Sequence, residues 1–285
     1  MKKFLVLGKT GQLAKALSDL DVSNNWTFLG TDDLDLSKTE AILGKLSNYQ
    51  FDCLINTAAY TAVDDAEENA ELAFKINAEA LGPISMACCE QNATLIHIST
   101  DYVFGEGHIT PIKEDQNKGP IGVYGKTKLQ GEETVQSICK KHFIIRTSWL
   151  YGENGHNFLK TMLRLSESKN ELSVVFDQVG TPTYVGELAQ TVKLIANSGS
   201  QNHGIYHYSN EGVCSWFDFA HSIFELSKRK VSLKPVLSDA FPTKAKRPGY
   251  SVLDKQKIRD TFDLTIPHWR DSLKKCLTKM KIPNE

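Results

Sequence analysis

The sequence predicts a doubly wound α/β protein: a parallel sheet covered by helices on both faces, with a smaller α/β part after it. Three observations carry this. Short apolar runs without polar alternation recur through the first half, as expected of strands buried on both faces. Segments with apolar residues at helical spacing separate them. A glycine pair, Gly8 and Gly11, stands between the first such run and the first such helix, where a Rossmann-like sheet places its phosphate-binding turn.

The elements follow in order. "KFLVLG" is the first strand, and "GQLAKALSDL" a helix with Leu13, Leu17 and Leu20 on one face. "WTFLG" is the second strand and "KTEAILGKLSNY" the second helix. "DCLINTAA" has the pattern of a buried strand, and "EENAELAFKINAEALGPISMACCEQN" is a long helical stretch that Pro83 bends or restarts. "TLIHIST" is the next strand, "VYGKTKLQGE" opens a helix, and "HFIIRTS" is a fifth strand. Beyond about Trp149 the rhythm loosens. "NFLKTMLRLSESK", "GELAQTVKLIANS" and "SWFDFAHSIFELSK" read as helices, with "LSVVFD" and "GIYHYS" as strands. "KPVLSDAFPTKAKRPGYSVLD", rich in proline and basic residues, reads as a long ordered loop, and a last amphipathic helix starts near Pro267. The expected division is residues 1–150 for a dinucleotide-binding part and 151–285 for a mainly substrate-binding part, with some segments returning to the sheet and a cleft between the two.

A net charge of −1 gives no bulk electrostatic case for nucleic acid or an anionic membrane. No apolar stretch approaches the roughly 20 residues of a membrane helix, and Phe4–Leu7 is too short for a secretory core. The six cysteines include no C-x-x-C pair and read as free thiols of a reducing compartment, so the expected location is the cytoplasm.

The glycines have a physical purpose at the first strand–helix junction. Without a side chain the backbone turns tightly and approaches a phosphate, which the free N–H groups of the helix start then hold. The spacing is G-x-x-G-x-x-A, with Ala14 third; the alternative is a turn that merely needs glycine. After the second strand, "GTDDLDLS" offers Asp32 or Asp33 to an adenosine ribose and no arginine for a 2′-phosphate. Ala58 and Ala59, at the end of strand three, suit either a backbone passing under a cofactor or a close strand–helix crossing.

Tyr124 and Lys128, four residues apart, share one helix face. An ammonium beside a phenol favours phenolate and is expected to lower the tyrosine pKa from about 10. Such a tyrosine exchanges a proton with an alkoxide or an alcohol. Ser99 and Thr100 end the fourth strand, at the carboxyl edge where open α/β sheets bind ligands.

On these residues, and on "GKTGQL", "NTAAYTAVDDAE", "HISTDYVF", "YGKTKLQGE", "RTSWLYG", "NFLKTMLRL", "DQVGTPT" and "KRPGYSVLD", the chain resembles the extended short-chain dehydrogenases/reductases that act on nucleotide sugars. Within them it is most similar to the dTDP-4-dehydrorhamnose reductases. The resemblance spans nearly the whole chain. It implies a triad of Thr100, Tyr124 and Lys128, with NADPH or NADH as hydride donor to the C4 keto group of a dTDP-linked 4-keto-6-deoxy sugar. It implies that Gly8, Lys9, Thr10, Gly11, Gln12 and Leu13 hold the cofactor, with Asp35 and Leu36 near the adenine. Ala58, Ala59 and Tyr60 would line its middle, and Tyr124 and Lys128 its nicotinamide end. For the sugar it implies Val63, Ser99, Thr100, Asp101, Tyr102, Tyr124 and Trp149; for the nucleotide, Asn157, Lys160 and Arg247. Read without the family, Lys160 and Arg247 fit a solvated helix face and a basic loop, and Trp149 fits the core.

Three other activities share such a fold. A 4,6-dehydratase uses Asp-Glu after the threonine, and here Asp101 and Tyr102 follow Thr100. An epimerase retains its NAD through turnover. A non-catalytic NADP-binding regulatory subunit, like that of methionine adenosyltransferase, needs no complete triad. Some family members are described as dimers bridged by Mg²⁺ at helix glutamates. Here Lys15 and Ala16 in the first helix and "KKCLTKMK" near the end replace two of those positions, so the expectation is no metal, and a monomer or a dimer not bridged by Mg²⁺.

Overall fold

The computed structural model describes residues 1–21 and 25–282. Five strands come from the first half: β1 (Phe4–Leu7), β2 (Trp26–Leu29), β3 (Cys53–Asn56), β4 (Thr94–Thr100) and β5 (His142–Thr147). A sixth, Gly204–His207, comes from the second half and pairs with β5 at the sheet edge. All neighbours run parallel, in the order Gly204–His207, β5, β4, β3, β1, β2. This is the expected doubly wound α/β sheet.

Apolar runs form these strands because both faces are covered. In β1, Phe4 and Val6 enter one core while Leu5 and Leu7 enter the other. The pairs Leu54/Ile55, Leu95/Ile96 and Ile144/Ile145 divide in the same way, each buried aliphatic side chain stabilising the fold by about 1.5–3 kcal/mol. On the first face lie α1 (Gln12–Asp19), through Leu13 and Leu17, and the helix Val185–Ser198. On the second lie α2 (Thr39–Leu46), the helix Leu81–Glu90 and Val135 of the helix Val123–Ile138.

The long helical stretch breaks into Ala70–Phe74, a π-helical turn Lys75–Glu79 and Leu81–Glu90. Pro83 stands in the first turn of the last piece, just after the π-helical turn. One reading is corrected. Lys234–Val236, taken as loop, belongs to a strand, Ser232–Val236, paired in parallel with Glu171–Val175. Among the described residues that sheet has two strands, so Pro235 sits on an edge, where proline is tolerated. A short helix, Gln256–Phe262, also lies in sequence that carried no helix prediction. No helix among the described residues is long and apolar enough to cross a membrane.

The chain runs outward from β1 to β2, then returns to β3 on the other side of β1. Above the carboxyl ends of β1 and β3 this reversal opens a crevice, the usual ligand position in such sheets.

Candidate active site

Gly8 leaves β1 with φ +94°, in the region that favours glycine. A Cβ there would stand 2.8 Å from Thr57 Oγ1 and 2.9 Å from the Ala58 nitrogen. The turn therefore lies directly on the backbone after β3, which is where small Ala58 and Ala59 were expected to matter. Gly11 caps α1 with no side-chain bond to the helix N–H groups, so these donors face the crevice end of the turn. That cradle fits a dinucleotide phosphate.

Across the crevice, the second half of the chain reaches the same turn. Asn157 donates through Nδ2 to Gln12 Oε1 at 2.8 Å, and its Oδ1 accepts from the Lys160 backbone as the cap of the helix Phe158–Leu165. The Asn157 amide is thus occupied in joining the two halves. Lys160, on that helix, forms no ion pair among the described residues.

At the end of β2, Asp33 Oδ2 accepts from the Gly30 N–H at 2.9 Å, folded back on its own turn. Lys9 Cβ lies 3.7 Å from the position of a Cβ on Gly30, so the phosphate turn and the end of β2 touch. Asp35 accepts from the Ser37 N–H and hydroxyl, which hold its carboxyl below the ordinary value. Leu36 is buried in the second core.

Tyr124 stands in the first turn of the helix Val123–Ile138 and is partly buried. Two contacts set the depth of that turn. Glu67 Oε1 accepts from the Val123 N–H at 2.8 Å. Gly125 lets the helix rest on the Tyr102 carbonyl, since a Cβ there would come within 2.2 Å of that oxygen. The Tyr102 ring meets Tyr124 edge-on, centroids 5.5 Å apart. The Thr100 side chain stands close enough to the Tyr124 phenol to favour its charged form, while its hydroxyl donates to Asp101 Oδ1 at 3.0 Å and accepts from the Tyr102 N–H.

The expected lowering of the Tyr124 pKa is not found. Burial pushes the phenol up to about 12; the nearby Thr100 hydroxyl lowers it, and the Asp101 charge raises it. Lys128 does not drive the shift because its ammonium points elsewhere: Nζ donates to the Ile98 carbonyl at 2.7 Å and lies 3.2 Å from His97 Nε2. Burial lowers Lys128 to about 8, opposed by the charge of Glu132. Asp101 is also buried, and desolvation raises its carboxyl to about 6 against hydrogen bonds from Ser251 and Thr100. Its Oδ2 has no hydrogen-bond partner among the described residues.

Ser99 is turned away from the opening. Its hydroxyl donates to Glu132, one turn beyond Lys128 on the same helix. Glu132 in turn forms a bidentate pair with Arg146 of β5, at 2.6 and 2.9 Å, both side chains wholly buried. Arg146 reaches on to His207, whose imidazole is held neutral by burial and that charge. The sequence reading missed this network. Its one signal was Glu132 at the third place of the four-residue series Tyr124, Lys128, Glu132.

Trp149 takes a left-handed backbone (φ +47°), unusual for a bulky side chain. Its ring stacks on Trp216 with centroids 3.5 Å apart and packs over Gly180. Beyond this stack, Phe158, Trp216, Phe241 and Arg247 line a cavity of about 640 Å³. Arg247 reaches back to Asp64 through a bidentate pair at 2.6 and 3.2 Å and stands near Tyr102. Asp64 follows Val63 in the short helix Val63–Ala66, while Tyr60 at the head of this segment takes the Asn77 side chain on its N–H. The partner of Arg247 was not foreseen, although "AVDDAE" displays it.

A solved dTDP-4-dehydrorhamnose reductase of Bacillus anthracis, in complex with NADP, superimposes with a TM-score of 0.93 at 36% identity, covering 98% of this chain and 99% of that one. The dTDP-4-dehydrorhamnose reductase of Salmonella typhimurium is 39% identical, covering 97% of each chain. The spore coat polysaccharide biosynthesis protein SpsK of Bacillus subtilis is 38% identical, again over 97% of each. The family model described as the RmlD substrate binding domain matches residues 1–282, and the chain belongs to that family.

Proposed function

We propose that the protein reduces the C4 keto group of dTDP-4-dehydro-6-deoxy-L-mannose to give dTDP-L-rhamnose, the last step of dTDP-rhamnose biosynthesis, with NADPH or NADH. The observation that carries this is the approach of Thr100 and Tyr124 at the carboxyl edge of the sheet, one helical turn from Lys128 and beside the crevice over β1 and β3. Residues 1–150 mainly hold the cofactor, and 151–285 mainly the sugar nucleotide.

Gly8, Lys9, Thr10, Gly11, Gln12 and Leu13 would cradle the pyrophosphate, with Asp35 and Leu36 beside the adenine and Ala58, Ala59 and Tyr60 along its middle. The reduced nicotinamide supplies a hydride when bound. The remaining chemistry belongs to the chain. Tyr124, kept protonated by burial up to about pH 12, gives its proton to the oxygen that becomes negative at C4. Thr100 orients that oxygen and the phenol together. Lys128 would hold the nicotinamide ribose. Val63, Asp101, Tyr102 and Trp149 would bound the sugar. Arg247 and Lys160 offer cations to a diphosphate. Because Ser99 and Asn157 are engaged in other hydrogen bonds, their part is to hold the walls. The enzyme would work in the cytoplasm, as a monomer or a dimer without bridging Mg²⁺.

Tyr124→Phe tests the reading. Reduction should fall by at least about a hundredfold, the scale of a lost general acid, while NADPH binding persists. An unchanged rate would remove Tyr124 from the mechanism. A regulatory subunit predicts tight NADPH binding and no turnover even in the parent protein.

A further inference from the structure

Below the triad runs a buried chain of hydrogen bonds whose direction is fixed at one end. The Ala58 backbone N–H donates to Asn56 Oδ1 at 3.1 Å. A backbone N–H can only donate, so the Asn56 amide is oriented and its Nδ2 faces His97 Nδ1, 3.2 Å away. An amide nitrogen also only donates, so Nδ1 must accept and the proton of the neutral imidazole sits on Nε2. Nε2 lies 3.2 Å from Lys128 Nζ.

An ammonium has three donors and no lone pair. Charged Lys128 would therefore set N–H against N–H at this contact. A neutral amine resolves the conflict, donating one proton to the Ile98 carbonyl at 2.7 Å and accepting from Nε2–H on its lone pair. Protonating His97 gives no escape, because burial and the nearby lysine hold it well below its ordinary value. Turning its tautomer over only moves the donor–donor contact to Asn56.

We propose that His97 is a positioning residue that acts through Lys128: locked as the Nε2–H tautomer by Asn56 and Ala58, it favours the neutral amine of Lys128 and so sets the alkaline limit of the reaction. The groups that face Lys128 are few. Glu132, on its own helix, favours the ammonium, but much of that charge is spent on Arg146 from β5. His97 and the Ile98 carbonyl approach from β4, and Asn56 stands behind His97 on β3. Lys128 is 1% exposed, so water does not soften the balance. The direction of shift found for Lys128 agrees with it.

The proposal rests on the ketoreductase reading for its effect on rate, but not for its structural core. The test therefore has two parts. With ¹⁵N-histidine-labelled protein, the His97 signals, assigned by their loss in His97→Gln, should show Nε2 protonated and Nδ1 bare from pH 6 to 9. A protonated Nδ1 would overturn the proposal, whether or not the protein turns over. Asn56→Asp then reverses the chain: a carboxylate oxygen accepts from Nδ1–H, leaving Nε2 as acceptor for an ammonium. The alkaline limb of kcat/KM for NADPH-dependent reduction should move up by about one pH unit or more, the scale of a nearby opposite charge. A reversed tautomer with an unmoved limb would overturn the link to Lys128. If the variant does not fold, the tautomer in the parent protein still decides.

Discussion

Tyr124 and Lys128 occupy one helix face, yet each answers to a different neighbour. The phenol lies beside Thr100 and is raised by burial, while the lysine is directed at β4. Spacing in the sequence shows the shared face; it does not show burial, which reverses the expected shift of Tyr124. Asp101 carries a second pH signature. Its folded-state pKa, about 6, lies above the ordinary carboxylate value, so folding favours its protonated form. Stability from this group is present below about pH 4 and is lost as pH rises through 6, by roughly 2–3 kcal/mol. Asp101→Asn should remove that fall: between pH 4 and 7 the urea midpoint of the variant should decline less than that of the parent. An equal decline would show Asp101 to be ionised at its ordinary value.

At the scale of elements, the helix Val123–Ile138 is held at both ends of its active face. Gly125 seats its first turn on the Tyr102 carbonyl, and Glu132 ties it to β5 through Arg146. Gly125→Ala should cost about 1–3 kcal/mol of stability, the usual scale of overpacking, and a larger share of kcat than of NADPH affinity, because it lifts Tyr124 and not the phosphate turn. Steady-state kinetics beside cofactor titration separates the two. Glu132→Gln leaves a buried guanidinium without its carboxylate and should lose about 3–5 kcal/mol in chemical denaturation; Glu132→Leu combined with Arg146→Met should recover much of it. The sheet strands were legible because burial on both faces writes a continuous apolar run. Ser232–Val236 was not, since an edge strand containing Pro235 looks like loop. Gln256–Phe262 buries only Ile258 and Phe262, too few to mark a period.

On the scale of the whole molecule, the two parts of the chain meet around the crevice by polar clasps. Asn157 reaches Gln12, and Arg247 reaches Asp64. Both partners were visible as residues, but their pairing joins positions far apart in sequence, and no local pattern encodes it. Arg247→Met should raise KM for the nucleotide sugar about tenfold or more, the loss expected of a charge-assisted bond, with NADPH affinity nearly unchanged. A fall in NADPH affinity instead would place Arg247 on the cofactor side. Among the described residues no cluster of His, Cys, Asp and Glu is arranged to hold a metal ion. On the separate ground of Lys15 and Ala16 in the first helix and the basic last helix, elution in size-exclusion chromatography should be the same with and without a chelator; a chelator-sensitive dimer would contradict that reading.

The most direct measurement is the oxidation of NADPH, then NADH, by the purified protein supplied with dTDP-4-dehydro-6-deoxy-L-mannose. Substrate-dependent loss of the reduced-nicotinamide absorbance, with dTDP-L-rhamnose as product and Tyr124→Phe inactive, is the predicted result. Saturable NADPH binding with no turnover of this sugar would contradict it.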